Sequence, residues 1–221
     1  MDKRIEKALN AAIATFERIE GINGSDFVKR LSAVFNHEDS YMQKVDLLDE
    51  CFDDQPTYEG LREIVFDLLL MNFFAADVEK LEEDYLESAE WEQIEEQTID
   101  RGTELLNLLL YIRECIDENI EPTLDDFLKE FLLVDEDEFQ DEYRIYEPML
   151  VNQVLIDGNY KEIARIADSL TEDQELADLF YPMMSFFMEK KPSEVQMTAY
   201  IEASKDKAID AATYALITTY N

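Results

Sequence analysis

Apolar residues recur at steps of three and four through most of this chain. Ile5, Leu9, Ala12, Ile13, Phe16 and Ile19 form the first such stripe, and Gly21 and Gly24 punctuate its end. Ser25 is placed to cap a second helix carrying Phe27, Val28, Leu31, Val34 and Phe35. A third, after "NHEDS", carries Met42, Val45, Leu48 and Phe52. "DDQPT" then breaks the pattern, and Thr57 opens a fourth helix that runs through the apolar stretch Ile64 to Ala76. An acidic helical stretch follows around Trp91 and Ile94. Gly102 interrupts it, and Thr103 opens "ELLNLLLYIRECIDEN".

"EPTLDDFLKEFLL" reads as a short capped helix with Phe127, Leu128, Phe131 and Leu132 turned inward. Further on, Gly158 ends one helix, and "NYKEIARIADSL", "ELADLFYPMMSFFMEKK", "PSEVQMTAYIEAS" and "DKAIDAATYALITTY" make four more. No strand-like alternation competes. The pattern predicts an all-α protein: an antiparallel helical bundle over residues 1–120 continuing into stacked helical hairpins over residues 121–221, about ten helices packed as one body. "YEPMLVNQVL" from Tyr146 and "FYPMMSFFME" from Phe180 superpose at an offset of 34 residues, the length of a tetratricopeptide unit. Val151 and Ile163 stand where that repeat wants small residues, and no third copy lies upstream, so stacked hairpins without that family name is the reading.

Composition agrees with a folded, helical chain: 221 residues, 47% apolar, 13 Phe and 11 Tyr against 5 Gly and 5 Pro. The net charge of −34 matters more for function. Nucleic acid and anionic membrane both demand basic surface, so neither is expected as a partner. A basic protein is. From Asp77 to Glu147 the chain holds 26 acidic and 5 basic residues, the acidic pole of the sequence. The N-terminus has no secretory signal pattern, and the apolar run Ile64–Ala76 falls short of the ~20 residues of a membrane span. The expected compartment is the cytoplasm.

Candidate chemistry is sparse. In "LLVDEDEFQDEYRIYEPML", Asp135, Asp137 and Asp141 fit positions 1, 3 and 7 of a calcium loop, but Gln140 stands where Gly is needed and Tyr146 where a bidentate Glu must close the shell. Phe139, Tyr143, Tyr146 and Leu150 step instead by four, three and four, which predicts a helix with one acidic face. His37 is the single histidine, so sites built on two histidines are excluded, and its place in "FNHEDS" suggests a helix end. Cys51 and Cys115 read as two buried free thiols. No glycine pattern matches a phosphate loop.

One spacing points to a metal. Glu92 and Glu95, then Glu114 and Asp117, give Glu-x-x-Glu and Glu-x-x-Asp separated by 18 residues. Residues three apart share a helix face, so two such helices side by side would aim four carboxylates at one point. This resembles the metal-binding pattern of all-α nucleotide pyrophosphohydrolases. The resemblance implies a magnesium-dependent phosphohydrolase with those four residues as ligands. The competing expectation, which the charge favours, is a non-enzymatic interaction module (a chaperone, inhibitor or scaffold) that uses no cofactor and offers an acidic surface to a basic partner.

Overall fold

The computed structural model describes residues 1–22, 25–76, 83–135, 138–139, 144–171 and 174–221. Among these it is all-α, with thirteen α-helices and one two-stranded ribbon. Helix α1 (Lys3–Glu20) starts where the Asp2 carboxylate accepts from the amides of Arg4, 2.8 Å, and Ile5, 3.3 Å, and it ends at Gly21. The stripe read from the sequence is its buried face, with Ala8 joining Ile5, Leu9, Ala12, Ile13 and Phe16.

Helices α2 (Ser25–Phe35) and α3 (Tyr41–Asp53) pack on one another. The cap expected at Ser25 rests on a side chain outside those described. Ser40 and Gln43 close a capping box on α3. Instead of one helix from Thr57, the chain forms a 3₁₀ turn (Pro56–Leu61) and then α4 (Arg62–Ala76). Pro56 suits the first turn because its missing N–H would have had no helical partner there. Helix α4 is buried almost all round, which matches its nearly uninterrupted apolar sequence. Its polar members have assigned partners: Asn72 Oδ1 accepts from the Asp2 amide at 2.9 Å, and Asp67 binds Thr103.

After α5 (Glu83–Leu86) and α6 (Ala89–Thr98), helix α7 (Leu105–Glu118) packs on α4 and leads to α8 (Leu124–Leu132). The helix expected across 132–150 is not formed. Strands β1 (Leu133–Asp135) and β2 (Glu138–Phe139) pair antiparallel, and the next helix among the described residues is α9 (Glu147–Val151). A helix through this stretch would set Asp135 over Glu138, and Glu138 over Asp141 and Glu142, at the spacings where like charges repel. Val134 and Phe139 favour strand. The predicted stripe position Tyr143, like Asp137 and Asp141, lies outside the described residues.

A 3₁₀ turn (Gln153–Asp157), α10 (Tyr160–Ala167), α11 (Phe180–Met188), α12 (Glu194–Ala203) and α13 (Lys207–Tyr220) complete the chain. The most extensive helix contact joins the two ends of the sequence, α1 against α13. Both faces bury alanines (Ala8 and Ala12; Ala208, Ala211 and Ala212), and such small side chains let helix axes approach closely. Among the described residues no helix is long and apolar enough to cross a membrane.

Candidate functional site: an acidic cavity

Five segments converge on a cavity of about 730 Å³. The 3₁₀ turn and the start of α4 give it Glu59 and Glu63, the end of α10 gives Asp168, the turns before α11 give Glu175 and Asp178, and the start of α13 gives Asp206 and Asp210. Among the described residues of the lining, Lys205 is the one basic side chain. Gly60 allows the two halves of this wall to meet: a Cβ there would lie 2.6 Å from Ile209 Cδ1 on α13.

The seven carboxylates are not equivalent. Glu59 is held by Arg62 at 2.8 Å, and Glu63 by Arg101 at 3.1 Å and the Gly102 amide at 2.7 Å. Asp206 caps α13 by accepting from the Ile209 amide. Asp210 is 9% exposed and accepts from Ser204 Oγ at 2.5 Å. Burial raises its proton affinity from the ordinary 3.8 to about 6; the Ser204 bond opposes this, and the charges of Asp206 and Asp178 add to it. Asp168, Glu175 and Asp178 have no ion pair among the described residues, nor does Lys205. Three carboxylates thus face the cavity without a countercharge, and one lysine cannot neutralise them.

The floor is stiff. Tyr181 stacks on Tyr200 at 4.5 Å and Tyr200 on Tyr214 at 4.4 Å. Tyr181 donates to the Tyr200 carbonyl, Tyr200 to the Asp210 carbonyl, and Tyr214 to the Glu189 carbonyl. Each buried hydroxyl therefore satisfies itself while fixing backbone under the carboxylates.

The opposite wall is pinned by a polar seam through the core. Arg101 lies 4.7 Å over the Phe66 ring and forks onto Asp49 and Glu63; Arg62 shares Asp49. Beside them the fully buried Asp67 accepts from the Thr103 amide at 3.0 Å and from Thr103 Oγ1 at 2.5 Å. Desolvation raises the proton affinity of Asp67 well above the usual carboxylate range, against the pull of those two bonds. Gly102 sits at φ 83 in this grip.

The carboxylates singled out by spacing are elsewhere. Glu92 and Glu95 stand exposed on α6, while Glu114 and Asp117 stand exposed on α7. Helix α7 packs on α4, and α6 packs on α5. Asp117 lies 3.9 Å from Arg113. Glu114 is beside Glu130 of α8, whose proton affinity is raised to about 7 by partial burial, then by the charge of Glu114 and a hydrogen bond to it. Among the described residues no group of three or more His, Cys, Asp or Glu side chains is placed to hold a metal ion. His37 Nδ1 is 2.8 Å from Asp39 at the surface. Cys51 and Cys115 are buried free thiols whose proton affinity burial pushes up, so neither is an activated nucleophile.

Sequence spacing did not reveal the cavity. Its seven carboxylates all lie outside the acidic pole of 77–147, part of which is outside the described residues. The one local signal was pairing: Glu59 with Glu63, Glu175 with Asp178, and Asp206 with Asp210 are each three or four apart. No family model, curated protein or solved structure matches this chain.

Proposed function

We propose that this protein is a non-enzymatic interaction module that receives a cationic segment of a basic partner in the acidic cavity. The observation that carries the reading is the imbalance of its lining, seven carboxylates against one lysine, with Asp168, Glu175 and Asp178 uncompensated. Such a concave site sums the fields of its carboxylates and attracts cations more strongly than a flat surface of equal charge. Guanidinium groups suit it best, because a planar fork satisfies two carboxylate oxygens at once. The net charge of −34 adds long-range steering and repels acidic competitors.

Titration calorimetry with a pentaarginine peptide tests the reading. Asp168→Asn, Glu175→Gln and Asp178→Asn combined should weaken binding more than tenfold. Glu6→Gln, Glu20→Gln and Glu38→Gln combined remove the same charge from exposed positions outside both concavities and should weaken it no more than about twofold, as screening at a distance allows. Equal weakening by both triples would reduce the cavity to ordinary acidic surface. Glu114→Gln should leave binding intact; magnesium binding that this change abolishes would favour instead the carboxylate cluster of Glu92, Glu95, Glu114 and Asp117.

A further inference from the structure

A second concavity, of about 380 Å³, lies between α4, α5, α6 and α7 and shares no lining residue with the acidic cavity. Its walls are mostly apolar, with Phe66, Phe74 and Trp91 beside Leu70, Leu106 and Leu110. The Phe74 and Trp91 rings are 5.4 Å apart. Its size is near the bottom of the range of about 300–1,000 Å³ occupied by small-molecule sites, which suits one or two large side chains. At the mouth, Leu86 is 40% and Ile99 77% exposed, although both are aliphatic. Among the described residues of helix α6, Ile94 is buried, while Glu90, Glu92, Glu95 and Glu96 are exposed.

Among the described residues at this mouth, the exposed charge is acidic. Between Glu83 and Asp100 the chain holds eight acidic residues and no lysine or arginine. Glu87, Glu90, Glu92, Glu95, Glu96 and Asp100 are all exposed. Arg101, the basic residue among the described lining, is held by Asp49 and Glu63. A second copy of this chain would bring like charge to like charge across such a rim, and an acidic partner would do the same.

We infer that the pocket lined by Trp91 is a docking site for a basic amphipathic helix of a partner protein, whose apolar anchor fills the pocket while flanking lysines or arginines meet the α5–α6 carboxylates. The anchor supplies affinity by burying Leu86, Ile99 and the face of Trp91, and the flanks supply orientation. This site does not depend on the cavity reading, since either could bind without the other.

The chain has a single tryptophan, so its emission reports on this pocket alone. The probe is an 18-residue leucine–lysine amphipathic helix, compared with the same peptide carrying glutamate for lysine. The lysine peptide should shift Trp91 emission saturably, and the glutamate peptide should not. Ile99→Asp should weaken the lysine peptide at least tenfold even though it adds a negative charge, which bulk attraction alone would turn into tighter binding. Glu20→Gln, exposed on α1 outside both concavities, should leave the response unchanged. The inference is overturned if saturating lysine peptide leaves Trp91 emission unmoved, if both peptides act alike, or if Ile99→Asp keeps its affinity. It is equally overturned if sedimentation shows a dimer of this chain that Ile99→Asp dissociates, because the occupant would then be a second copy.

Discussion

Asp210 offers the sharpest quantitative consequence of the cavity's architecture. Its carboxyl is 9% exposed, faces the charges of Asp178 and Asp206, and receives one hydrogen bond from Ser204. Folding raises its proton affinity from 3.8 to about 6, so the folded state holds its proton more tightly than the unfolded chain does. The stability this contributes is complete below about pH 4 and is lost as the pH rises through about 6. Each tenfold change in proton affinity corresponds to about 1.4 kcal/mol, so the full effect is roughly 3 kcal/mol, of which about 2 kcal/mol is lost between pH 4.5 and pH 8. The other carboxylates of so acidic a chain add their own slope, so the informative quantity is a difference between variants. Asp210→Asn keeps an acceptor for Ser204 and carries no charge at any pH. In urea unfolding followed by circular dichroism, the natural protein should lose about 2 kcal/mol more than Asp210→Asn over that interval. Parallel pH dependences, or a natural protein that gains on the variant as pH rises, would refute the reasoning.

Two further outcomes follow from the same geometry. Gly102→Ala should destabilise the protein by about 2 kcal/mol in the same assay: a side chain at positive φ costs about 1–2 kcal/mol, and its Cβ would lie 2.6 Å from Asp67 Oδ1 in a buried seam. Millimolar magnesium should raise the midpoint of thermal unfolding no more than sodium chloride at matched ionic strength, because among the described residues no group of three or more His, Cys, Asp or Glu side chains is placed to hold a metal ion; an excess effect of magnesium that Glu114→Gln removes would reverse this.

What the sequence disclosed and what it withheld divide along physical lines. Helix periodicity is local, so α1, α4 and α7 could be read from a few consecutive turns, as could the start of α12, where Ser193 and Gln196 form a capping box. The stretch 133–139 misled because Phe139, Tyr143, Tyr146 and Leu150 have helical spacing while the acids between them oppose a helix. Periodicity counts apolar positions and ignores like-charge repulsion. Asp67 inside an otherwise apolar run was visible as an anomaly, yet its partner Thr103 is 36 residues away and carries no mark of the pairing. The cavity was least legible of all. Its carboxylates run from residue 59 to residue 210 and are gathered only where the 3₁₀ turn, α4, the end of α10, the turns before α11 and the start of α13 line one cavity, whereas the acidic pole that dominates the sequence is dense in charge along the chain.

The central claim concerns where a cation settles, and the most direct measurement is therefore a location. A pentaarginine peptide carrying a nitroxide label, added to protein labelled at its alanine and isoleucine methyls, should broaden the signals of Ala164, Ala167, Ala177 and Ile209, which line the acidic cavity. Broadening spread evenly over the acidic surface, or absent from those four residues while the peptide is bound, would contradict the account.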